Sequence, residues 1–313
     1  SPHQANGTSY AATLLTIVTL ETFAGMCINA FIVSVICMAW IQKKTLNSSE
    51  KILLLLGCSR FGYLCIGWVY YLLSVILPNY LPIHPVLPLV ESAHGFLNCS
   101  NFWVSTCLCV FYCIKIANFS NSFFIYLKVK IDTIVPWLLV GSLLFSLLVG
   151  ILVYDVTDKA HSTNLNLTSQ GIIWKSRIRI DEHFFTGFFI IGFVFATSFT
   201  AVTFSALLLL FSLWRHKRNM QTNSMKDLSM DAHIKAMKSI LSFFVMYNIH
   251  LICFILTMVY ALKGRKDVMF LISVFLYAFP GVHSLILVCT NPKLEKSMLS
   301  ILSCVNCKVC MKQ

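Results

Sequence analysis

Seven long apolar stretches, each able to cross a bilayer as a helix, constrain this 313-residue chain more than any other feature in it. They run Leu14–Trp40, Ile52–Leu77, Glu91–Ile116, Ile131–Tyr154, Phe184–Trp214, Ile234–Leu262 and Val268–Thr290. A crossing needs about 20 predominantly apolar residues, and each stretch supplies them with room for tilt. Hydrophobic residues make up 58% of the chain and charged ones 12%, which leaves more apolar surface than a water-soluble domain of this length can bury. No ten-residue alternation of apolar and polar positions appears, so barrel strands are excluded. Helices remain, because they satisfy the backbone internally in lipid. The expected fold class is an all-α membrane protein with one seven-transmembrane helix bundle over 14–290. A short segment precedes it (1–13), and a short amphipathic helix and tail follow it (291–313).

Positive charge predicts the orientation. The stretches 41–51, 115–130 and 214–238 and the C-terminal tail together carry sixteen of the 24 Lys and Arg residues. The opposite side carries seven: Lys159, Lys175, Arg177, Arg179, Lys263, Arg265 and Lys266. The richer side is expected to face the cytoplasm, which places the N-terminus outside the cell and the tail inside. The formal charge of +12 is therefore read as membrane topology. Binding of nucleic acid is disfavoured, because the charge is split among loops around lipid. The sequons at Asn6 and Asn166 fall outside and are expected glycosylation sites. The one at Asn98 lies too close to the membrane to be a good acceptor. Those at Asn47 and Asn118 fall inside and should be bare. The first span is expected to anchor the chain without a cleavable signal peptide, and a chain opening at Ser1 reads as trimmed of its initiator Met.

The 13 cysteines lie mostly within the spans, where a thiol behaves as a small hydrophobe. Cys304, Cys307 and Cys310 cluster after the last span. No fourth ligand completes a zinc set there, so no metal is expected. Palmitoylation of a juxtamembrane Cys and a free mobile tail both fit this cluster.

Polar groups inside the spans are costly, so each carries information. Arg60 lies about two turns into the second span from the basic side, where facing lipid costs roughly 2.5 kcal/mol or more. It is expected to face the bundle and to meet Asn29 or nearby carbonyls. Two readings are open: static polar glue between helices, or a pivot whose contacts change between states. Glu21 is expected to point into the bundle. Glu91 reads as a cap-like acid opening the third span. Pro136 lies near the start of the fourth span, and Pro280-Gly281 should kink the seventh. A transporter or channel is disfavoured by the lack of internal repeats and by the near absence of intramembrane carboxylates. No paired acid accompanies His250 or His283 in the spans, so enzyme chemistry is not expected.

Several motifs resemble one receptor family. Trp103-Val104-Ser105-Thr106-Cys107-Leu108 leads into Phe111-Tyr112-Cys113-Ile114-Lys115-Ile116-Ala117-Asn118-Phe119-Ser120-Asn121, which is similar to the third-helix signature of the bitter taste receptors, taste receptor type 2. Phe211–His216, Ala232–Lys238 leading to Ser242-Phe243-Phe244, and His283–Leu287 with Asn291 and Lys293-Leu294 resemble the same family. The likeness covers all seven spans in order. Features usual in rhodopsin-like receptors are missing. There is no Asp-Arg-Tyr after the third span, no Trp-x-Pro in the sixth, no Asn-Pro-x-x-Tyr in the seventh, and no Cys in 155–183 to pair with Cys99. Pro292 after Asn291 is a local departure, acceptable as the first residue of an amphipathic helix.

The resemblance implies the G-protein-coupled receptor fold in the plasma membrane. It also implies a bitter small-molecule agonist and a heterotrimeric G protein of the gustducin/inhibitory class, with membrane lipid around the bundle and no cofactor. By the same likeness Trp103, Cys107, His250 and Ser273 are candidate ligand contacts. Asn29, Arg60, Pro280 and His283 are candidate structural or switch positions. Each keeps a plainer reading beside it: Trp103 as a packing aromatic, Cys107 as core filler, His250 as an interhelical hydrogen-bonding group, Ser273 as small-residue packing. Tyr112, Lys115, Asn118, Arg215, His216, Lys217, His233 and Lys238 surround the expected coupling crevice, where the basic groups also suit lipid phosphates. A pheromone receptor of vomeronasal type 1 is the nearest alternative, and the motif at Lys115–Asn121 argues against it.

Overall fold

The computed structural model describes the backbone of residues 2–77, 80, 84–117, 119, 121–170, 173–220, 228–262 and 266–310, with side chains described chiefly within 13–159, 189–215, 234–259 and 268–303. Every regular element among the described residues is a helix: α1 (Pro2–Lys43), α2 (Ser48–Ile76), α3 (Val86–Ile116), α4 (Ser122–Gln170), α5 (Ile173–Met220), α6 (Leu228–Leu262), α7 (Lys266–Thr290) and α8 (Pro292–Cys310). Segments of α1 to α7 are long and apolar enough to cross a membrane. The fold is the seven-transmembrane bundle that the apolar stretches predict.

Several helices run past the apolar stretches. α4 has 49 residues, about 70 Å of helix at 1.5 Å per residue, against a hydrocarbon core of about 30 Å. The segment from 155, read from sequence as loop, continues α4 to Gln170. Polarity ends a membrane span but not a helix. Lys159 Nζ donates to Asp155 Oδ2 at 2.6 Å, an i,i+4 pair that suits an exposed helix. α3 also begins earlier than its apolar stretch, with Pro85 in the N-cap position. Glu91 is therefore inside the helix and is not the cap expected of it.

Neighbours in sequence pack as neighbours in space, and α1 closes the ring against α7. α3 sits deepest, touching α2, α4, α5 and α6. The outer surface is apolar, as lipid requires: Trp137 is 74% exposed and Phe189 77%. On the basic side, Asn47 and Glu50 form a reciprocal capping box for α2. Asn47 Oδ1 accepts from the Glu50 N–H at 2.8 Å and Glu50 Oε2 from the Asn47 N–H at 3.1 Å. Glu50 also accepts from Lys293 Nζ, which ties α8 to α2. Asn291 Oδ1 caps α8 by accepting from the N–H groups of Lys293 and Leu294, and Pro292 opens that helix where its missing N–H costs nothing.

Arg60 is wholly buried and binds three helices together. Its Nε donates to Asn101 Oδ1 at 2.8 Å, Nη1 to Ser284 Oγ at 2.8 Å and Nη2 to Ser105 Oγ at 3.0 Å. Nη2 also pairs with His283 Nδ1. Four of the five guanidinium N–H groups thereby meet neutral acceptors on α3 and α7. Asn29 enters one step removed from the direct contact expected: Ser284 Oγ donates to Asn29 Oδ1 at 2.8 Å, bringing α1 into the network. Asn29 Nδ2 in turn donates to the Gly25 carbonyl at 2.8 Å.

Glycine permits this α1–α7 contact. A Cβ on Gly281 would lie 3.1 Å from the Gly25 Cα, and one on Gly25 would lie 2.8 Å from Leu64 Cδ1. Small residues let membrane helices approach this closely. Pro280 lies inside α7, which continues unbroken to Thr290. With no N–H on Pro280, the Leu276 carbonyl loses its intrahelical partner.

Two outcomes are expected from thermal melting of the purified receptor. Arg60→Lys keeps the charge but loses the fork, stranding at least one of Asn101, Ser105, His283 and Ser284; a loss of about 3 kcal/mol is expected. Gly281→Val should cost about 1–3 kcal/mol by forcing α1 from α7. A wild-type melting temperature for either variant would contradict this packing.

Candidate ligand cavity and its link to the buried arginine

A cavity of about 230 Å³ opens within the bundle on the side opposite the basic loops. α3 contributes Glu91, His94, Gly95, Asn98, Cys99 and Phe102, and α2 contributes Tyr63. α4 and α5 add Val149, Val153, Val194 and Phe195; α6 and α7 add His250, Thr257 and Leu276. The polar groups on α3 follow from one sequence pattern. Glu91, His94, Asn98, Asn101 and Ser105 recur at alternating steps of three and four, which places them along one face of a helix. The upper three line the cavity, and the lower two hold Arg60.

Aromatic rings form the floor. Phe102 meets Phe195 at 4.5 Å between centroids and His250 at 4.9 Å. His250 stacks on Phe195 at 5.1 Å and lies 5.1 Å from Phe279. The Tyr247 hydroxyl donates to the Phe195 carbonyl at 2.9 Å, fixing α6 against α5. From Phe279 the rings continue one turn along α7 to His283, stacked at 6.3 Å, and Phe243 of α6 packs on His283 at 4.8 Å. His283 Nδ1 accepts a hydrogen bond from the Arg60 Nη2–H, so that nitrogen carries no proton of its own and the imidazole is neutral. A continuous series of packed groups thus joins His250 in the cavity wall to Arg60.

Several polar atoms around the cavity have no partner among the described residues: His94 Nε2, Asn98 Oδ1 and His250 Nδ1. Cys99 is a buried free thiol. Asn98 lines this cavity from within α3.

The four ligand candidates do not share one space. His250 lines the cavity. Trp103 and Cys107, one turn apart on α3, line a separate groove of about 510 Å³ between α3, α4 and α5, with Phe145, Ser142 and Phe193. Trp103 packs edge-on against Phe145 at 5.5 Å, and both back onto Cys99, Val149 and Val194 of the cavity wall. The hydroxyls in the groove are spent on the helices: Ser142 donates to the Leu138 carbonyl and Thr197 to the Phe193 carbonyl. Ser273 is half-buried on α7, three residues before Leu276, and lines neither space.

On the basic side, Tyr112 is half-buried at the end of α3. Lys115 Nζ donates to Asp132 Oδ2 at 2.6 Å beside a polar groove of about 480 Å³ lined by Asn47, Ser48, Lys51 and Phe111. Arg215, in the last turns of α5, and Lys238, about three turns into α6, are exposed. Asn118 lies outside the described residues. The side chains of Asn6, Asn166, His216, Lys217, His233, Cys304, Cys307 and Cys310 also lie outside them.

Comparison with known proteins finds relatives along nearly the whole chain. The family model described as Taste receptor protein (TAS2R) matches residues 7–306. Human taste receptor type 2 member 2 is 29% identical over 305 residues, covering 94% of this chain and 97% of the relative. Mouse member 110 is 31% identical over 97% of this chain and 96% of the relative. Rat member 41 is 32% identical over 92% and 94%. With a seven-helix bundle, a polar-lined cavity between its helices and this likeness from end to end, the chain belongs to the taste receptor type 2 family, as a G-protein-coupled receptor of the bitter taste class and not an enzyme.

Proposed function

We propose that this receptor binds bitter small molecules in the cavity between α3 and α5–α7 and activates a heterotrimeric G protein of the gustducin/inhibitory class. It sits in the plasma membrane with its N-terminus outside the cell, the orientation that the Lys and Arg asymmetry favours. A mostly apolar cavity with a few convergent polar groups is the usual form of a small-molecule site. The observation that carries the reading is the ring series from His250 through Phe279 to His283 and Arg60.

In this reading His250 touches the agonist. Trp103 and Cys107 shape the wall from the neighbouring groove, and Ser273 lies nearer the mouth along α7. Asn29, Arg60, Pro280 and His283 form the element whose contacts differ between states. Tyr112, Lys115, Asn118, Arg215, His216, Lys217, His233 and Lys238 frame the G-protein crevice, with the basic groups meeting lipid phosphates at its rim. Asn6 and Asn166 carry the sugars, and Cys304, Cys307 and Cys310 offer the acylation sites. An agonist that prefers the state with an open crevice raises its population, and the G protein reads that population.

Nucleotide exchange on a purified inhibitory-class heterotrimer, with receptor in nanodiscs and a panel of bitter compounds, tests this. At least one compound should accelerate exchange, and His250→Ala should raise its half-maximal concentration by about tenfold, the scale of lost aromatic packing. Trp103→Ala should have a smaller effect than His250→Ala. No acceleration by any compound from a folded receptor would contradict the function. A dominant Trp103→Ala effect would move the agonist to the groove.

A further inference from the structure

The polar atoms of the cavity specify more than a generic apolar site. Glu91 lines it from α3, and no described Lys or Arg forms an ion pair with it. Asn98 Oδ1, about two turns further along the same face, is an acceptor with no partner among the described residues. His94 Nε2 and His250 Nδ1 are likewise unpartnered, and each ring offers an acceptor in one tautomer. His250 is 6% exposed, so its unmet nitrogen is shut away from bulk solvent. Glu91, His94, Asn98 and His250 therefore bring a carboxyl group and three further polar side chains to the wall of one small space. The walls are π faces: Tyr63 lies 4.7 Å from the His94 ring, and Phe102 and Phe195 close the floor.

Anionic or purely apolar ligands leave this set poorly matched. An anion meets Glu91 with like charge, and a purely apolar ligand strands every acceptor. A cation with several N–H donors satisfies the carboxylate and the acceptors together, and aromatic faces attract it further. We propose that the cavity selects ligands carrying a protonated amine or amidine on a compact apolar body, with Glu91 as counter-ion and Asn98 as second acceptor. The inference rests on the reading of this cavity as the agonist site. The volume of about 230 Å³ sets the compactness.

Benzamidine and benzamide differ in charge but barely in shape. Their affinities are to be measured by ligand-induced thermal stabilisation of the full-length receptor in neutral phosphatidylcholine nanodiscs. Benzamidine should bind about 10- to 100-fold more tightly, the range of a charge-assisted hydrogen bond. Glu91→Gln should bring benzamidine down to the benzamide level. Asn98→Asp, which adds a second carboxylate, should tighten benzamidine alone. Equal affinities in the unmodified receptor, or unchanged benzamidine binding in Glu91→Gln, would overturn the proposal. Binding is read apart from G-protein exchange. Exchange driven by neutral compounds, with no benzamidine preference, overturns the cation inference and leaves the receptor function in place. A clear benzamidine preference without exchange by any compound supports the inference and counts against the function.

Discussion

Arg60 places a full positive charge at the centre of the bundle with no described carboxylate against it. Burying such a charge is expensive unless its donors are met, and here neutral acceptors meet them. That requirement propagates outward. Asn101 and Ser105 must face α2, which fixes the rotation of α3. His283 must offer an unprotonated Nδ1, which fixes its tautomer. Ser284 must reach both Arg60 and Asn29, and the glycine contact between α1 and α7 brings it there. Because every partner is neutral, no single ion pair locks the state. Exchanging one acceptor for another costs less than breaking a buried salt bridge, as suits an element with two arrangements.

The face of α3 that serves Arg60 also builds the cavity. Rotating α3 to improve one would disturb the other, so binding above and the polar centre below are mechanically joined. The ring series on α6 and α7 joins them a second time, through His250, Phe279 and His283. A packed core transmits a small displacement because it cannot absorb it in empty space. Differential fit of a ligand to two arrangements of this core is all that a population shift needs.

Much of the fold was legible in the sequence, because lipid imposes a length and a hydropathy that soluble folds do not. The seven spans and the inward-facing Arg60 came from that constraint alone. Its partner was misplaced by one step because Ser284, which bridges to Asn29, is 255 residues from it in sequence. Glu91 was misread as a cap because hydropathy locates the apolar stretch and not the helix start, which Pro85 marks. The candidate site was harder to see. Trp103 and Cys107 do share a face, as their i,i+4 spacing requires, but spacing does not say which neighbour that face meets. α3 is enclosed by α2, α4, α5 and α6, so no lipid-facing side orients it. The signal that does orient it was present: the polar series Glu91, His94, Asn98, Asn101, Ser105. Arg60 demands acceptors, and this series is where a buried helix supplies them.

The central claim is that the cavity and the basic face are two ends of one coupled equilibrium. Coupling between binding sites is reciprocal, so a G protein held on the basic face must alter affinity in the cavity by the same factor that an agonist alters G-protein binding. The direct measurement is the dissociation constant of a radiolabelled agonist on the nanodisc receptor, with and without nucleotide-free G protein. A tightening of roughly 5- to 150-fold is predicted, with a smaller gain in His283→Phe, whose ring packs but offers Arg60 no acceptor. Identical affinities with and without G protein would contradict the account.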